Sequence, residues 1–182
     1  TIGARIQTYL GAGQQFVMAG GFEGEHNNMA CVVTAQGVQM SDIYRNDHPE
    51  ADTKVFIHAS KCGFQRVSIY SPDSDIVFIA LLLYAQLKLD IHVQICKQNM
   101  TKHATYVEIK TLWEKVTRDN NMQHIASPQM RVRTLVMMFL ASGSDYTSFF
   151  YEQPKKTFLD MLCKNARFVC PDDDACIGNT VN

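Results

Sequence analysis

The order of predicted helices and strands between residues 47 and 97 constrains the fold more than any other feature of the sequence. Asp47, His48 and Pro49 open a helix with proline in its first turn, and Gly63 ends it. A strand "QRVSIY", a buried helix "DIVFIALLLYAQ" and a second strand "DIHVQICK" follow. Because a helix commonly connects two parallel strands, this alternation predicts an α/β fold with a mostly parallel central sheet flanked by helices.

The remainder of the chain supplies further predicted elements. Upstream we expect a helix over residues 4–10, a strand in "QQFVMAGG" and two strands around Gly37 in "MACVVTAQGVQM". Downstream, "TYVEIKTLWEKVTRD" predicts an amphipathic helix, "MRVRTLVMMFLAS" a helix that ends at Gly143, and "KKTFLDMLCKNARFV" a third helix. Residues 97–104 and 118–128 are the expected flexible links.

Composition excludes several classes of protein. Hydrophobic residues make up 46% of the chain, which suits a sizeable core and argues against wholesale disorder. No run of 18 uncharged apolar residues occurs, so no membrane span is expected. The net charge is −1, so any nucleic acid must be held through a local patch. The length of 182 residues suits a single domain over 1–170 with a C-terminal loop or tail over 171–182.

The cysteines and the N-terminal segment indicate the cellular compartment in which the protein is expected. Six cysteines, at positions 31, 62, 96, 163, 170 and 176, are scattered among mostly apolar neighbours. This pattern is typical of reduced thiols and favours an intracellular protein, nuclear or cytoplasmic. The segment "TIGARIQTYL" lacks the pattern of a signal peptide. It also lacks an initiator Met, which is expected of a trimmed chain or a fragment.

Acidic residues recur at three boundaries between predicted elements. Glu50 and Asp52 lie in the first turn of one helix, and Asp73 and Asp75 follow the strand "RVSIY". Asp145 comes directly after a helix, in "SGSDYT". In open parallel sheets, ligands bind beyond the carboxyl ends of the strands, which is where chain order places Asp73 and Asp75.

Two interpretations of these acids stay open at the level of the sequence. An acid at a helix start commonly caps free N–H groups and complements the helix dipole. Alternatively, convergent carboxylates would repel one another unless divalent cations neutralised them, and Mg²⁺ and Mn²⁺ prefer such oxygen ligands.

Three segments carry a resemblance to a known group of enzymes. "PEADTKVFIHA", "VSIYSPDSDIVFIAL" and "SGSDYTSFF" resemble, in that order, the acidic motifs of the PIN-like and flap-endonuclease (FEN/XPG-like) nuclease superfamily. The similarity is greatest to uncharacterised eukaryotic PIN-like proteins, many of them linked to mobile elements. It spans about residues 40–160, and the ordered set of motifs is more specific than any one of them.

The resemblance implies a PIN-like fold and a divalent-metal-dependent nuclease acting on DNA or RNA. Two ions, Mg²⁺ or Mn²⁺, would lie about 3.5–4 Å from each other and would hold the scissile phosphate between them. By the same resemblance the metal ligands are Glu50, Asp52, Asp73, Asp75 and Asp145, with Glu50, Asp73, Asp75 and Asp145 assigned as catalytic. The expected contacts to nucleic acid are Lys54, Lys155, Lys156 and Tyr146.

Departures from the superfamily pattern keep other functions open. The superfamily has a further Asp near the end of its first strand, whereas "FVMAGG" ends in glycine. Either that strand lies upstream of this sequence, or the site is incomplete. Ser144 stands where the superfamily resemblance has a cysteine, and "EQPKK" stands where it has a basic "GKGK". The alternatives are a catalytically incomplete PIN-like module that binds nucleic acid or acts as a scaffold, and a metal-dependent phosphatase-like hydrolase.

One histidine accompanies the first acidic pair. Glu50, Lys54, His58 and Lys61 share a face of the predicted helix because they are spaced by three or four residues. The ordinary interpretation is a solvated helix face, with His58 either exposed or hydrogen-bonded rather than a metal ligand.

Overall fold

The computed structural model describes residues 2–20, 22, 24, 28–45, 50–95, 105–125, 127–143 and 154–169. The chain divides into two compact units, Thr1–Val67 and Ser68–Asn182.

Among its described residues, the first unit contains a three-stranded antiparallel sheet and two α-helices. Its elements are α1 (Ile2–Gln7), β1 (Gln15–Ala19), β2 (Ala30–Thr34), β3 (Gly37–Ser41) and α2 (Ala51–Lys61).

The central strand β2 forms much of the core of this unit. It lies between β1 and β3, so Cys31 is opposite Met18 on one side and Met40 on the other. Ala30 and Val33 are completely buried. Gly3 of α1 is also buried, and a Cβ at this position would lie 3.2 Å from the Val38 side chain. The close approach of α1 to the sheet therefore depends on a residue without a side chain.

The second unit combines a three-stranded sheet with four helices among its described residues. Its elements are β4 (Arg66–Ser71, of which the first two residues belong to the first unit), α3 (Asp75–Leu87), β5 (Asp90–Ile95), β6 (Thr105–Glu108), α4 (Ile109–Thr117), α5 (Pro128–Ala141) and α6 (Lys155–Val169), with a 3₁₀ turn at Asn120–Met122.

The sheet of the second unit is mixed, and its strand order is β4-β5-β6. Helix α3 connects β4 to β5, whereas β6 pairs antiparallel to β5 with Val107 opposite Val93. One hydrophobic cluster of this unit lies mainly among the helices. Its buried members are Leu81, Val116, Met122, Ile125, Val132, Met138 and Phe158.

The predicted mostly parallel central sheet of a PIN-like fold is wrong. The described strands form two small sheets, one antiparallel and one mixed. Part of the error lies in "TYVE", which we expected to begin an amphipathic helix but which forms β6. Tyr106 and Val107 are residue types that favour strands, and pairing with β5 satisfies their backbone groups. The other part is the short turn at 35–36, which makes β2 and β3 antiparallel neighbours.

Most other predicted elements are confirmed, with shifted ends. The predicted flexible link at 118–128 is wrong, because it holds the 3₁₀ turn and buries Met122 and Ile125. Arg131 braces this segment: its Nε donates to the Ile125 carbonyl at 2.7 Å, and its Nη1 donates to the Thr117 carbonyl. The predicted helix opening at 47–49, the link at 97–104 and the tail at 171–182 lie outside the described residues.

Candidate functional site

Asp73 and Asp75 lie in an ordered turn between β4 and α3. The buried Ser71 hydroxyl accepts a hydrogen bond from the Asp73 N–H at 3.1 Å. Asp73 Oδ1 in turn accepts from the Asp75 N–H at 2.9 Å. Ser74, at the N-cap, makes no side-chain capping bond, so Asp73 supplies the acceptor at this helix start. The structure therefore brings these two predicted site residues together and gives one of them a structural role.

The turn places two carboxylates at a helix N-terminus, where they suit a divalent cation. Both aspartates are partly buried, at the carboxyl end of β4 and the amino end of α3. The partial positive charge at a helix N-terminus attracts anions, including carboxylates and phosphates. Two carboxylates here provide hard oxygen donors of the kind that Mg²⁺ and Mn²⁺ prefer.

The other predicted acids are placed differently. Glu50 is exposed at the N-cap of α2 and makes no side-chain capping bond, while Asp52 is partly buried in the first turn. Both belong to the first unit, whereas Asp73 and Asp75 belong to the second. Asp145 lies outside the described residues. Within the described ranges, no group of three or more His, Cys, Asp or Glu side chains is arranged to hold a metal ion.

The residues predicted to contact nucleic acid also fall in both units. Lys54 lies on α2, where its Nζ would be 3.9 Å from a Cβ at Gly20. Lys155 and Lys156 begin α6 and are exposed. Tyr146 lies outside the described residues.

Sequence reasoning missed an apolar pocket of about 270 Å³ that Lys155 and Lys156 line together with α3 and α5 side chains. Phe78 and Phe139 stack in its wall, with ring centroids 3.7 Å apart and planes inclined by 17°. The Lys155 Nζ lies 3.6 Å from the centroid of the Phe139 ring. The sequence contained one indication that Phe78 lies near the acidic turn. Phe78 follows Asp75 by three residues, which places both on one face of α3.

A histidine–carboxylate contact on β5 was also missed. His92 Nε2 and Asp90 Oδ1 are 2.9 Å apart, because residues two apart on a strand point to the same side. Glu108 is opposite His92 on β6, and its Oε2 accepts from the Thr111 hydroxyl at 2.6 Å. Asp90 lies at the amino end of β5, whereas Asp73 follows the carboxyl end of β4. The contact is therefore not part of the Asp73 turn.

His58 differs from both states expected of it. Its Nε2 is buried and has no hydrogen-bond partner among the described residues. Its ring lies 4.9 Å from the buried Tyr44 ring, centroid to centroid. Burial, with added repulsion from Lys61 and Lys54, lowers the pKa of His58 below its usual value. The ring is only partly exposed and its Nε2 lacks a partner among the described residues, so the folded protein disfavours the charged form of His58.

Comparison with known proteins adds no relative. No family profile, curated protein or solved structure matches the chain. In the described part of the chain, no helix is long and apolar enough to cross a bilayer.

Proposed function

We propose that the chain is a divalent-metal-dependent nuclease that hydrolyses phosphodiester bonds in DNA or RNA, with Asp73 and Asp75 in its reactive site. The observation that carries the proposal is the ordered Asp73–Asp75 turn at the junction of β4 and α3. The order of acidic motifs along the sequence supports it independently. The proposal does not depend on a PIN-like sheet, which the chain lacks in its described part.

The donor chemistry of the turn fits Mg²⁺ or Mn²⁺. Asp73 and Asp75 would hold the ion through carboxylate oxygens, and Asp73 keeps Oδ2 for this purpose while Oδ1 serves the turn. When bound, such an ion activates water and neutralises charge on the phosphate. The chain itself contributes the Ser71 hydroxyl, which orders the Asp73 backbone and so fixes the position of the two carboxylates.

The test separates metal chemistry from helix capping. Asp73→Asn keeps an oxygen that can accept the Asp75 N–H, so its stability should change by less than about 1 kcal/mol. Cleavage should fall by more than about 100-fold, because a neutral amide is a weak ligand for a hard cation. The assay uses labelled single-stranded, duplex and flap DNA with matching RNA, first in Mn²⁺ and then in EDTA.

A matched control exists in the same unit. Asp119 Oδ1 accepts from the Asn121 N–H at 2.8 Å, which is the same turn chemistry before the 3₁₀ turn. Asp119→Asn should leave cleavage unchanged. Cleavage that persists in EDTA, or in a folded Asp73→Asn protein, would contradict the proposal.

A second candidate is a non-catalytic module that binds nucleic acid. The specific observation in its favour is the use of Asp73 Oδ1 as a backbone acceptor, which is sufficient reason for an acid at this position. Binding of the same substrates without cleavage of any of them in Mn²⁺ would favour this function.

A further inference from the structure

A row of three sulfur-bearing side chains crosses the antiparallel sheet of the first unit. Met18 of β1 is directly opposite Cys31 of β2, and Cys31 is directly opposite Met40 of β3. Directly opposite residues of antiparallel strands point to the same face, with Cβ atoms roughly 4.5–5.5 Å apart. The register therefore places a thiol between two thioethers on one face of the sheet.

The neighbouring row on this face is entirely apolar. Residues two apart on a strand share a face, so this row consists of Phe16, Val33 and Val38. It packs against α1, where a Cβ at Gly3 would lie 3.2 Å from the Val38 side chain. Among the side chains that β1, β2 and β3 present on this face, the potential metal ligands are therefore sulfur atoms.

Burial differs along the row of sulfur-bearing residues. Cys31, at its centre, carries a free thiol and is only 6% exposed. Met18 and Met40, on either side, are partly exposed. An ion can therefore reach the row past the methionines without separation of the strands, while the thiol stays in a mostly apolar environment.

The ligand chemistry selects a soft, monovalent cation. Thiolate and thioether sulfur bind Cu(I), whereas Mg²⁺, Ca²⁺ and Mn²⁺ prefer oxygen ligands. One thiolate neutralises the charge of one Cu(I), so the bound site carries no net charge. A divalent ion would leave one positive charge uncompensated in an apolar environment, which is costly.

We propose that Met18, Cys31 and Met40 together bind one Cu(I) ion. The bond between the Cys31 Sγ and copper replaces the S–H bond, the proton passes to solvent, and copper stays in its reduced state. This site belongs to the first unit, whereas Asp73 and Asp75 belong to the second. The inference is therefore independent of the proposed nuclease function.

The experiment measures the affinity of the whole chain for Cu(I). The protein competes for copper with the chromophoric chelator bicinchoninate, under anaerobic conditions with ascorbate, and the competition gives a Kd. The affinity should increase with pH, because the thiol must lose its proton. X-ray absorption at the copper edge, with one equivalent bound, should show three sulfur ligands and no nitrogen or oxygen ligand.

Conservative variants separate metal binding from packing. Leucine fills nearly the same volume as methionine, so Met18→Leu and Met40→Leu should both fold. Each should raise the Kd for Cu(I) about tenfold or more, because one of three ligands is lost. Cys31→Ala should lose this site altogether. Cys62→Ala is the matched control, since Cys62 is a free thiol of the same unit at the end of α2, and its Kd should equal that of the wild type.

An unchanged Kd in either methionine variant would overturn the inference, whether or not Cys31→Ala folds. So would a loss of affinity in Cys62→Ala as large as that in Cys31→Ala, or a nitrogen or oxygen ligand in the absorption spectrum. The proposed function fails separately, because cleavage in Mn²⁺ and its loss in Asp73→Asn report on the other unit.

Discussion

At the scale of single residues, Asp73 shows how one side chain can serve a fold and a site together. Its Oδ1 accepts from the Asp75 N–H, which begins α3. The sequence predicted an acid at a helix start and left capping and metal binding as alternatives. The structure shows the capping contact, and a carboxylate with two oxygens is not limited to one partner.

His58 is the residue whose environment most clearly links structure to pH. Burial first, then the charges of Lys61 and Lys54, lower the pKa of the imidazole below about 6.5. In the unfolded chain the same histidine takes up its proton near pH 6.5. Between that pH and the lower folded pKa, the unfolded state binds more protons than the folded state, so stability falls as the pH decreases.

We therefore expect His58→Gln to reduce the dependence of stability on pH. The free energy of unfolding of the wild type, measured in urea, should fall between pH 7.5 and pH 5.5. Gln does not titrate, so the variant should lose less over the same interval. His92→Gln is the control, since it removes a histidine of the other unit whose ring contacts the Asp90 carboxylate. An identical pH dependence in wild type and His58→Gln would contradict this account.

At the scale of elements, α3 determines what the second unit can do. Its first turn presents Asp75 and Phe78, and its body buries Ile76, Val77, Ala80 and Leu81. The helix ends at Lys88, which has a left-handed conformation with φ 52° and ψ 33° and donates its N–H to the Tyr84 carbonyl. Glycine is the usual residue at such a position, because a side chain makes the left-handed conformation unfavourable.

We expect Lys88→Gly to stabilise the second unit. Removing the side chain relieves about 1 kcal/mol of backbone strain, and the greater freedom of glycine in the unfolded chain offsets part of this gain. Lys88→Val should have the opposite effect, because a branched Cβ is poorly tolerated at positive φ. Chemical unfolding followed by the fluorescence of Trp113 would measure both changes. Destabilisation by Lys88→Gly would contradict this expectation. It would show that the lysine side chain stabilises the fold by more than the backbone strain costs.

At the scale of the whole molecule, the two units hold different parts of the predicted acidic set. Glu50 and Asp52 lie in Thr1–Val67, and Asp73 and Asp75 lie in Ser68–Asn182. The part of the proposed site that the structure describes within one unit is therefore the Asp73–Asp75 turn. Whether this turn binds a cation can be tested by measuring the thermal stability of the whole chain with and without Mn²⁺.

We expect Mn²⁺ to raise the melting temperature of the wild-type chain. Binding to the folded state alone adds RT ln(1 + [L]/Kd), which is about 2.7 kcal/mol at a hundredfold excess over Kd. Differential scanning calorimetry in EDTA and in increasing Mn²⁺ would measure the change. Asp73→Asn should lose most of the increase, while Asp119→Asn should keep it. An equal increase in all three proteins would place the bound cation elsewhere.

The sequence by itself determined most of the local elements, because periodicity, glycine and proline act within one turn or strand. It predicted the helices that became α2, α3, α5 and α6, and it placed Asp73 and Asp75 at the end of a strand. It also carried the motif order on which the nuclease proposal depends. Each of these features involves residues close together along the chain.

Only the tertiary structure decided how the strands pair and what surrounds the side chains. "TYVE" is compatible with a helix locally, and its antiparallel pairing with β5 makes it a strand. The stacking of Phe78 on Phe139, and the position of Lys155 over that ring, join three helices that are separate in sequence. Such contacts depend on packing between distant segments, and short-range propensity carries no information about which segments will meet.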